Sequence, residues 1–230
     1  MGYVGRDLNR PWLVIDTETT AIVEIDDYAD DLRVDSRLKD PEKIQAARTA
    51  ALEKAALDID LARIIATAVW LSDDPNPIIR TGKIDDEFRL LTTFWSAYEH
   101  VVIDRGGLLV GYNILGYDLP LIIRRSQLLA VREARHIELN KYRPGAIVDL
   151  QQLLSFQGAK PFRSLNFYAK RFALDVPCDA HDGADIARLV AAGEWDAIAH
   201  HVRTDVTKTR ALAERLDVLR VSVPEEAAVF

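Results

Sequence analysis

The chain has 230 residues, 49% hydrophobic and 28% charged, which is enough apolar material for a packed core and excludes wholesale disorder. With 29 Lys+Arg against 36 Asp+Glu the formal charge is −7, so a uniformly basic coat for wrapping duplex nucleic acid is excluded, while a local basic strip is not. At ~150 residues per domain the length allows one large domain or two small ones, and no run approaches the ~18 apolar residues of a membrane span. The N-terminus lacks a signal-peptide apolar segment, and the single cysteine, Cys178, has no partner for an internal disulfide. Together these features read as a soluble protein of the cytoplasm that makes no use of a membrane.

Along the chain, Trp12 to Ile15 is an apolar run after Pro11 that ends at Asp16, the pattern of a buried central strand. Residues 24–60 interrupt the pattern with 11 Asp+Glu against 6 Lys+Arg. Asp40-Pro41 reads there as N-cap and first helical residue, followed by Ile44, Ala47, Ala51 and Ala55 at helical spacing. This predicts a helical insertion after the first strand, either a solvated helix or a lid or wall beside the site that the strand builds. Ile64 to Leu71 predicts a second strand, stopped by the turn cluster Ser72 to Pro77, and Ile78 to Thr81 a third that pairs back as a hairpin. Glu87 to Val102 has helical spacing at Phe88, Leu91, Phe94, Trp95 and Tyr98. Leu108 to Val110 is a brief strand introduced by Gly106-Gly107, and a helix opens at Asp118 or Leu119 with Pro120 in its first turn. Ile147 to Asp149 reads as another strand, with helical patterns following at 149–156, 164–172, 183–192 and 195–217 and a tail at 221–230. Strands first, then mixed strands and helices, argue for one α/β domain over residues 1–230.

Three places carry acids where local structure makes them awkward. In Asp16-Thr17-Glu18, residues i and i+2 of an extended chain point the same way, so two like charges repel unless a cation sits between them. In Gly111-Tyr112-Asn113-Ile114-Leu115-Gly116-Tyr117-Asp118, the acid opens a mostly apolar helix, a position that an ordinary N-cap also fills. In His200-His201-Val202-Arg203-Thr204-Asp205, the acid adjoins an apolar stripe of Val202, Val206, Thr209, Ala213 and Leu216. Each alone reads equally well as a capping or surface acid. In order, Asp-x-Glu, Asn-x4-Asp and His-x3-Asp are what a two-metal phosphodiesterase site requires, since four carboxylates can hold two Mg²⁺ or Mn²⁺ ions about 3.5–4 Å apart. Hard oxygen ligands suit Mg and Mn rather than Zn, and neither a Cys/His zinc spacing nor a Gly-rich phosphate loop ending in Lys-Ser/Thr is present.

Charge is also unevenly spread. Residues 124–171 hold ten Lys+Arg and three acids, a window of +7, leaving −14 on the remaining 182 residues. Such a cluster is either a solvated face or a path for a polyanion, with Lys160, Arg163, Lys170 and Arg171 as the candidate phosphate guides.

The stretch Val14-Ile15-Asp16-Thr17-Glu18-Thr19-Thr20 resembles the first motif of the DEDD (DnaQ-like) 3′–5′ exonucleases, Gly111 to Pro120 the second, and Ala199 to Thr209 the third. Asp182-Gly183 through Gly193-Glu194-Trp195-Asp196, together with Leu165 to Phe172, is most similar to exonucleases related to the proofreading domain of family-B DNA polymerases. The resemblance covers residues 12–217 and implies a ribonuclease H-like fold, a central mixed sheet flanked by helices. It implies Asp16, Glu18, Asp118 and Asp205 as metal carboxylates for two divalent cations, Thr17 and Thr19 near the 3′-terminal nucleotide, and Asn113 and Tyr117 along the strand path. The implied activity is 3′–5′ hydrolysis of single-stranded DNA releasing nucleoside 5′-monophosphates. An exoribonuclease and an inactive nucleic-acid-binding protein are the alternatives.

One position departs from the family pattern. The polymerase-like branch carries Tyr four residues before the last Asp, where this chain has His201; the other branch carries His five residues before it, where this chain has His200. Positions i and i+4 share a helix face. A helix running unbroken through Asp205 therefore turns His201 toward the metals as the group that orients or deprotonates the attacking water. A break near His200 would bring that residue in instead, and activation of water by metal alone needs neither.

Overall fold

The first strand, β1 (Trp12–Ala21), is the centre of a five-stranded mixed sheet of order β3-β2-β1-β4-β5. The architecture is that of a computed structural model in which residues 10–28, 37–82, 87–140, 145–177 and 179–219 are described; Cys178 and the expected tail at 221–230 lie outside them. β2 (Ala62–Leu71) pairs with β1 antiparallel and β3 (Ile78–Thr81) with β2 antiparallel, whereas β4 (Leu108–Gly111) and β5 (Ile147–Asp149) continue the other side in parallel. This is the mixed, helix-flanked α/β sheet expected from the sequence. Among the described residues no helix is long and apolar enough to cross a membrane.

Because side chains alternate across a strand, β1 serves two cores at once. Leu13 and Ile15 face α2 (Glu87–Tyr98) and α3 (Asp118–Leu128), in a core with Leu91, Phe94, Trp95, Leu119 and Ile122. Trp12 and Val14 face the opposite layer, where α5 (Leu165–Arg171), α6 (Ile186–Ala192) and the long α7 (Trp195–Arg215) contribute Leu165, Leu189, Ile198, Val202 and Val206. The guanidinium of Arg210 on α7 stacks 4.1 Å from the Trp70 ring centroid, which clamps α7 to the sheet.

The expected elements differ from the observed ones in three places. β1 does not stop at Asp16 but runs on to Ala21, because Thr17 to Ala21 continue the ladder with β2 through a register shift between Glu18 and Thr19. The α-helix beginning at Glu87 ends at Tyr98 and widens into a π-turn over Glu99–Asp104. Phe88 faces solvent, and Leu90 takes the buried position in its stead. The insertion forms α1 (Pro41–Glu53), with Asp40 Oδ1 accepting from the Glu42 amide at 3.0 Å, followed by a 3₁₀ turn Ala55–Leu57 that docks on β1. α4 (Leu150–Leu154) is a short helix directly after β5.

A buried ion pair locks α2 to α3 and β2. Glu87 accepts from the Ile64 amide at 2.8 Å and from Arg125 Nε and Nη2 at 2.8 and 2.7 Å, with side-chain exposures of 6% for Glu87 and 12% for Arg125. Removing one member of such a pair strands the other charge. Arg125→Ala should lower unfolding free energy by about 3–5 kcal/mol, read by urea denaturation.

Candidate active site

The alternation that builds the two cores also aims the polar end of β1. Asp16 and Glu18 follow Trp12 and Val14 onto the α7 side, and Thr17 and Thr19 follow Leu13 and Ile15 onto the α3 side. Thr17 Oγ1 donates to Asp118 Oδ1 at 2.6 Å, which fixes the first residue of α3 against the strand. Asp205 and His201 come from α7, which runs unbroken through both. His201 is 3% exposed and its Nε2 lies 3.4 Å from Glu18 Oε1, whereas His200 faces solvent. His201 is thus seated against Glu18 on the α7 side of β1, while Asp118 is held against the strand through Thr17 on the α3 side.

The carboxylates act on one another electrostatically. Asp16 is pushed well above the usual carboxylate range, first by burial and then by the charges of Glu18, Asp205 and Asp118, with Lys208 acting in the opposite sense. Glu18 is raised well above its ordinary value by burial and then by Asp205, Asp118 and Asp179. Burial raises Asp118 to about 6, against the opposing hydrogen bond from Thr17. Among the described residues, no three His, Cys, Asp or Glu side chains are already drawn into a chelating group. Lys208 Nζ donates to Asp205 Oδ1 at 2.8 Å and to Asn166 Oδ1 at 2.7 Å, holding one acid to its own helix. The residue set nevertheless fits divalent cations, since buried, mutually repelling carboxylate oxygens form the hard donor array that Mg²⁺ or Mn²⁺ takes and that added positive charge would relieve.

Three further side chains shape this geometry, beyond those that the sequence motifs single out. Asp179 Oδ2 lies 2.5 Å from His201 Nδ1, both side chains almost fully enclosed. Burial works to raise Asp179, but the His181 amide and the His201 ring outweigh it and hold the carboxyl below its ordinary value. Asp179 sits in an irregular segment with no periodicity to betray it. Lys208 does leave a signal, because residues 201, 205, 208 and 212 form a single helical stripe. Asp149 caps α4 through the amides of Gln151 and Gln152 at 2.9 and 3.2 Å. It also accepts from the amides of Asn113 and Leu115, both at 3.0 Å, and so fastens the loop that leads to Asp118. That loop is tight: a Cβ at Gly111 would collide with the Ile114 side chain, and Asn113 takes a left-handed φ of 61°.

The residues expected to contact substrate are placed unevenly. The hydroxyls of Thr17 and Thr19 are engaged within the protein, that of Thr19 donating to Ala56 O at 2.8 Å and lying 3.0 Å from Tyr117 Oη. Tyr117 Oη also donates to Ala56 O, so the end of the insertion is stapled to β1 beside the acids. Asn113 serves as a turn residue, and no hydrogen bond among the described residues joins its side chain to the carboxylates.

Residues 56–228 match the model of a family described as a predicted 3′–5′ exonuclease related to the exonuclease domain of PolB. The chain belongs to this family. It is therefore a nuclease enzyme whose substrate is nucleic acid, on a ribonuclease H-like scaffold of the kind these exonucleases use, and divalent metals are general to such domains. No curated protein matches the chain. The matched stretch contains Asp118, His201 and Asp205 but begins after Asp16 and Glu18, which join the family's residues through the pairing of β1 with β2 and β4.

A carboxylate whose folded-state value is raised binds more protons folded than unfolded, so stability falls as pH rises through the window between the two values. For Asp118 that window runs from the ordinary carboxylate range to about 6, with Asp16 and Glu18 adding in the same sense. Metal-free protein in EDTA should lose stability between pH 4 and pH 7 relative to Asp118→Asn, which should be more stable at pH 7 by on the order of 1–3 kcal/mol in thermal unfolding.

Proposed function

We propose that the protein is a 3′–5′ exonuclease that hydrolyses the terminal phosphodiester of single-stranded DNA by a two-metal mechanism and releases nucleoside 5′-monophosphates. What supports this reading is the seating of His201 against Glu18, together with the charges of Glu18, Asp205 and Asp118 acting on Asp16 and those of Asp205 and Asp118 acting on Glu18. The family's relation to a DNA polymerase exonuclease domain favours DNA as the substrate.

Asp16, Glu18, Asp118 and Asp205 would hold Mg²⁺ or Mn²⁺, whose positive charge would make water a stronger nucleophile and steady the leaving oxygen. The chain's own residues do the rest. Water oxygen attacks the terminal phosphorus, the P–O3′ bond breaks, and O3′ takes a proton from solvent as the new 3′ hydroxyl. In the tautomer that donates Nδ1–H to Asp179, the Nε2 lone pair of His201 lies on the Glu18 side, where it would take a proton from the attacking water. Thr17 holds Asp118 in place, and Lys208 fixes Asp205 to α7.

Asp16→Ala and Asp205→Ala should each abolish metal-dependent release of mononucleotides from a single strand labelled at its 3′ end, and EDTA should do the same to the parent protein. His201→Ala should lower kcat by roughly 10²–10⁴-fold, while His200→Ala has little effect. Loss of activity in His200→Ala with His201→Ala unimpaired would overturn the assignment. Cleavage that starts from the 5′ end, or persists in EDTA, would overturn the reaction.

A further inference from the structure

Between Asp149 and Asp175 the sequence contains no acidic residue, although the chain as a whole carries −7. The same stretch carries Lys160, Arg163, Lys170 and Arg171, all exposed, and none of them forms an ion pair among the described residues. Interleaved with them are three phenylalanines that the fold leaves in solvent: Phe156 at 69%, Phe162 at 52% and Phe167 at 45% exposure. Large aromatic rings left outside a core that has room for Phe94, Trp95 and Trp12 need a reason.

The loop that displays them is built, not slack. Phe156, Gln157 and Gly158 take φ of 54°, 58° and 87° in succession, a left-handed run in which the first two residues have side chains that disfavour it. The run is imposed by hydrogen bonds to its base: Gln157 N donates to Gln152 O at 2.7 Å, Gly158 N to the hydroxyl of the buried Ser155 at 3.1 Å, and Lys160 N to Ser155 O at 2.8 Å. Strain held at an aromatic whose residue is 69% exposed points to a use outside the molecule. Two links join this loop and α5 to the acidic cluster. Tyr112 Oη, just beyond β4, donates to Arg163 O. Asn166, next to Phe167, accepts from the same Lys208 that holds Asp205. The Arg163 guanidinium lies 5.3 Å from the Phe167 ring centroid, an open aromatic–cation pair on the outer face of α5.

We infer that Phe156, Phe162 and Phe167, with Lys160, Arg163, Lys170 and Arg171, form a stacking platform for the single-stranded nucleic acid upstream of the nucleotide being removed. The inference rests on the exonuclease reading and deepens it. Rings stack on bases without reading sequence, because every base has a π-face, and the four cations neutralise the intervening phosphates. An anionic strand fits here, because the platform is drawn from a stretch free of acids beside an otherwise negative site. The platform makes the enzyme length-sensitive: a strand too short to reach the rings is held by the acids and metals alone.

The test measures binding and chemistry separately. Anisotropy titrations would use single strands of roughly 3 and roughly 12 nucleotides with uncleavable phosphorothioate 3′ linkages, on the parent protein and on Phe156→Ala, Phe162→Ala and Phe167→Ala, with Phe→Trp at each position as a rescue. The expected result is a longer-strand affinity lowered roughly 5- to 150-fold per contributing ring, restoration by Trp, and a collapse of the long-to-short affinity ratio. Lys160→Gln/Lys170→Gln should shallow the salt dependence of log K by about 0.7 for each phosphate no longer neutralised. Alanine variants that bind the long strand as the parent does would overturn the platform and leave these rings to a protein partner. Hydrolysis of the p-nitrophenyl ester of thymidine 5′-phosphate by the parent protein reports on the acidic site alone. Phenylalanine-dependent binding without that hydrolysis would sink the exonuclease reading instead.

Discussion

Everything at the catalytic end of this molecule follows from the cost of holding carboxylates close together away from water. β1 is buried in the middle of the sheet, and its first four residues are apolar because both faces are covered. The strand nevertheless continues, in ladder with β2, into Asp16 and Glu18. Only a surrounding that over-determines their position can keep them there. Thr17 grips Asp118, the 3₁₀ turn at Ala55–Leu57 is stapled over Thr19 and Tyr117, and α7 is clamped through Arg210 to Trp70. The packed scaffold supplies the stability that the acids subtract, and a bound cation would relieve that repulsion.

The two cores of the sheet do more than stabilise it. Since each face of β1 belongs to a different helical layer, alternate residues of one strand sort automatically into two functional partners. Even-numbered acids meet His201 and Asp205 on α7, and odd-numbered threonines meet Asp118 and Tyr117 at the start of α3. Shifting the register by a single residue would turn the acids toward the α3 layer and the threonines toward α7, so the hydrophobic pattern of Trp12 to Ile15 sets the chemistry of the residues that follow it.

The legibility of the chain divides along the same physical line. Strands and helices with a buried face announce themselves by periodicity, and β2, β3, β4, β5 and the helices from α3 onward lie close to where the residues put them. The orientation of His201 follows from helical geometry once α7 is continuous. What the linear pattern hides is determined by pairing or by irregular chain. The extension of β1 beyond Asp16 depends on a partner strand distant in sequence. Asp179 acts from a segment without period, and Asp149 reads as the end of a strand while its carboxylate organises a loop 34–36 residues earlier in the chain. The hydroxyls of Thr17 and Thr19, expected near the substrate, are taken up by internal hydrogen bonds that no linear pattern displays.

Asp149 carries one more implication. A single carboxylate accepts four backbone amides drawn from two separate crossings, the turn after β4 and the helix after β5. The two crossings are thereby geared together, and neither can be lengthened or shortened on its own without tearing the other from its anchor. One residue added between Gly111 and Asp118 would therefore carry Asp118 away from Thr17. The connection between α3 and β5 has no comparable hub among the described residues.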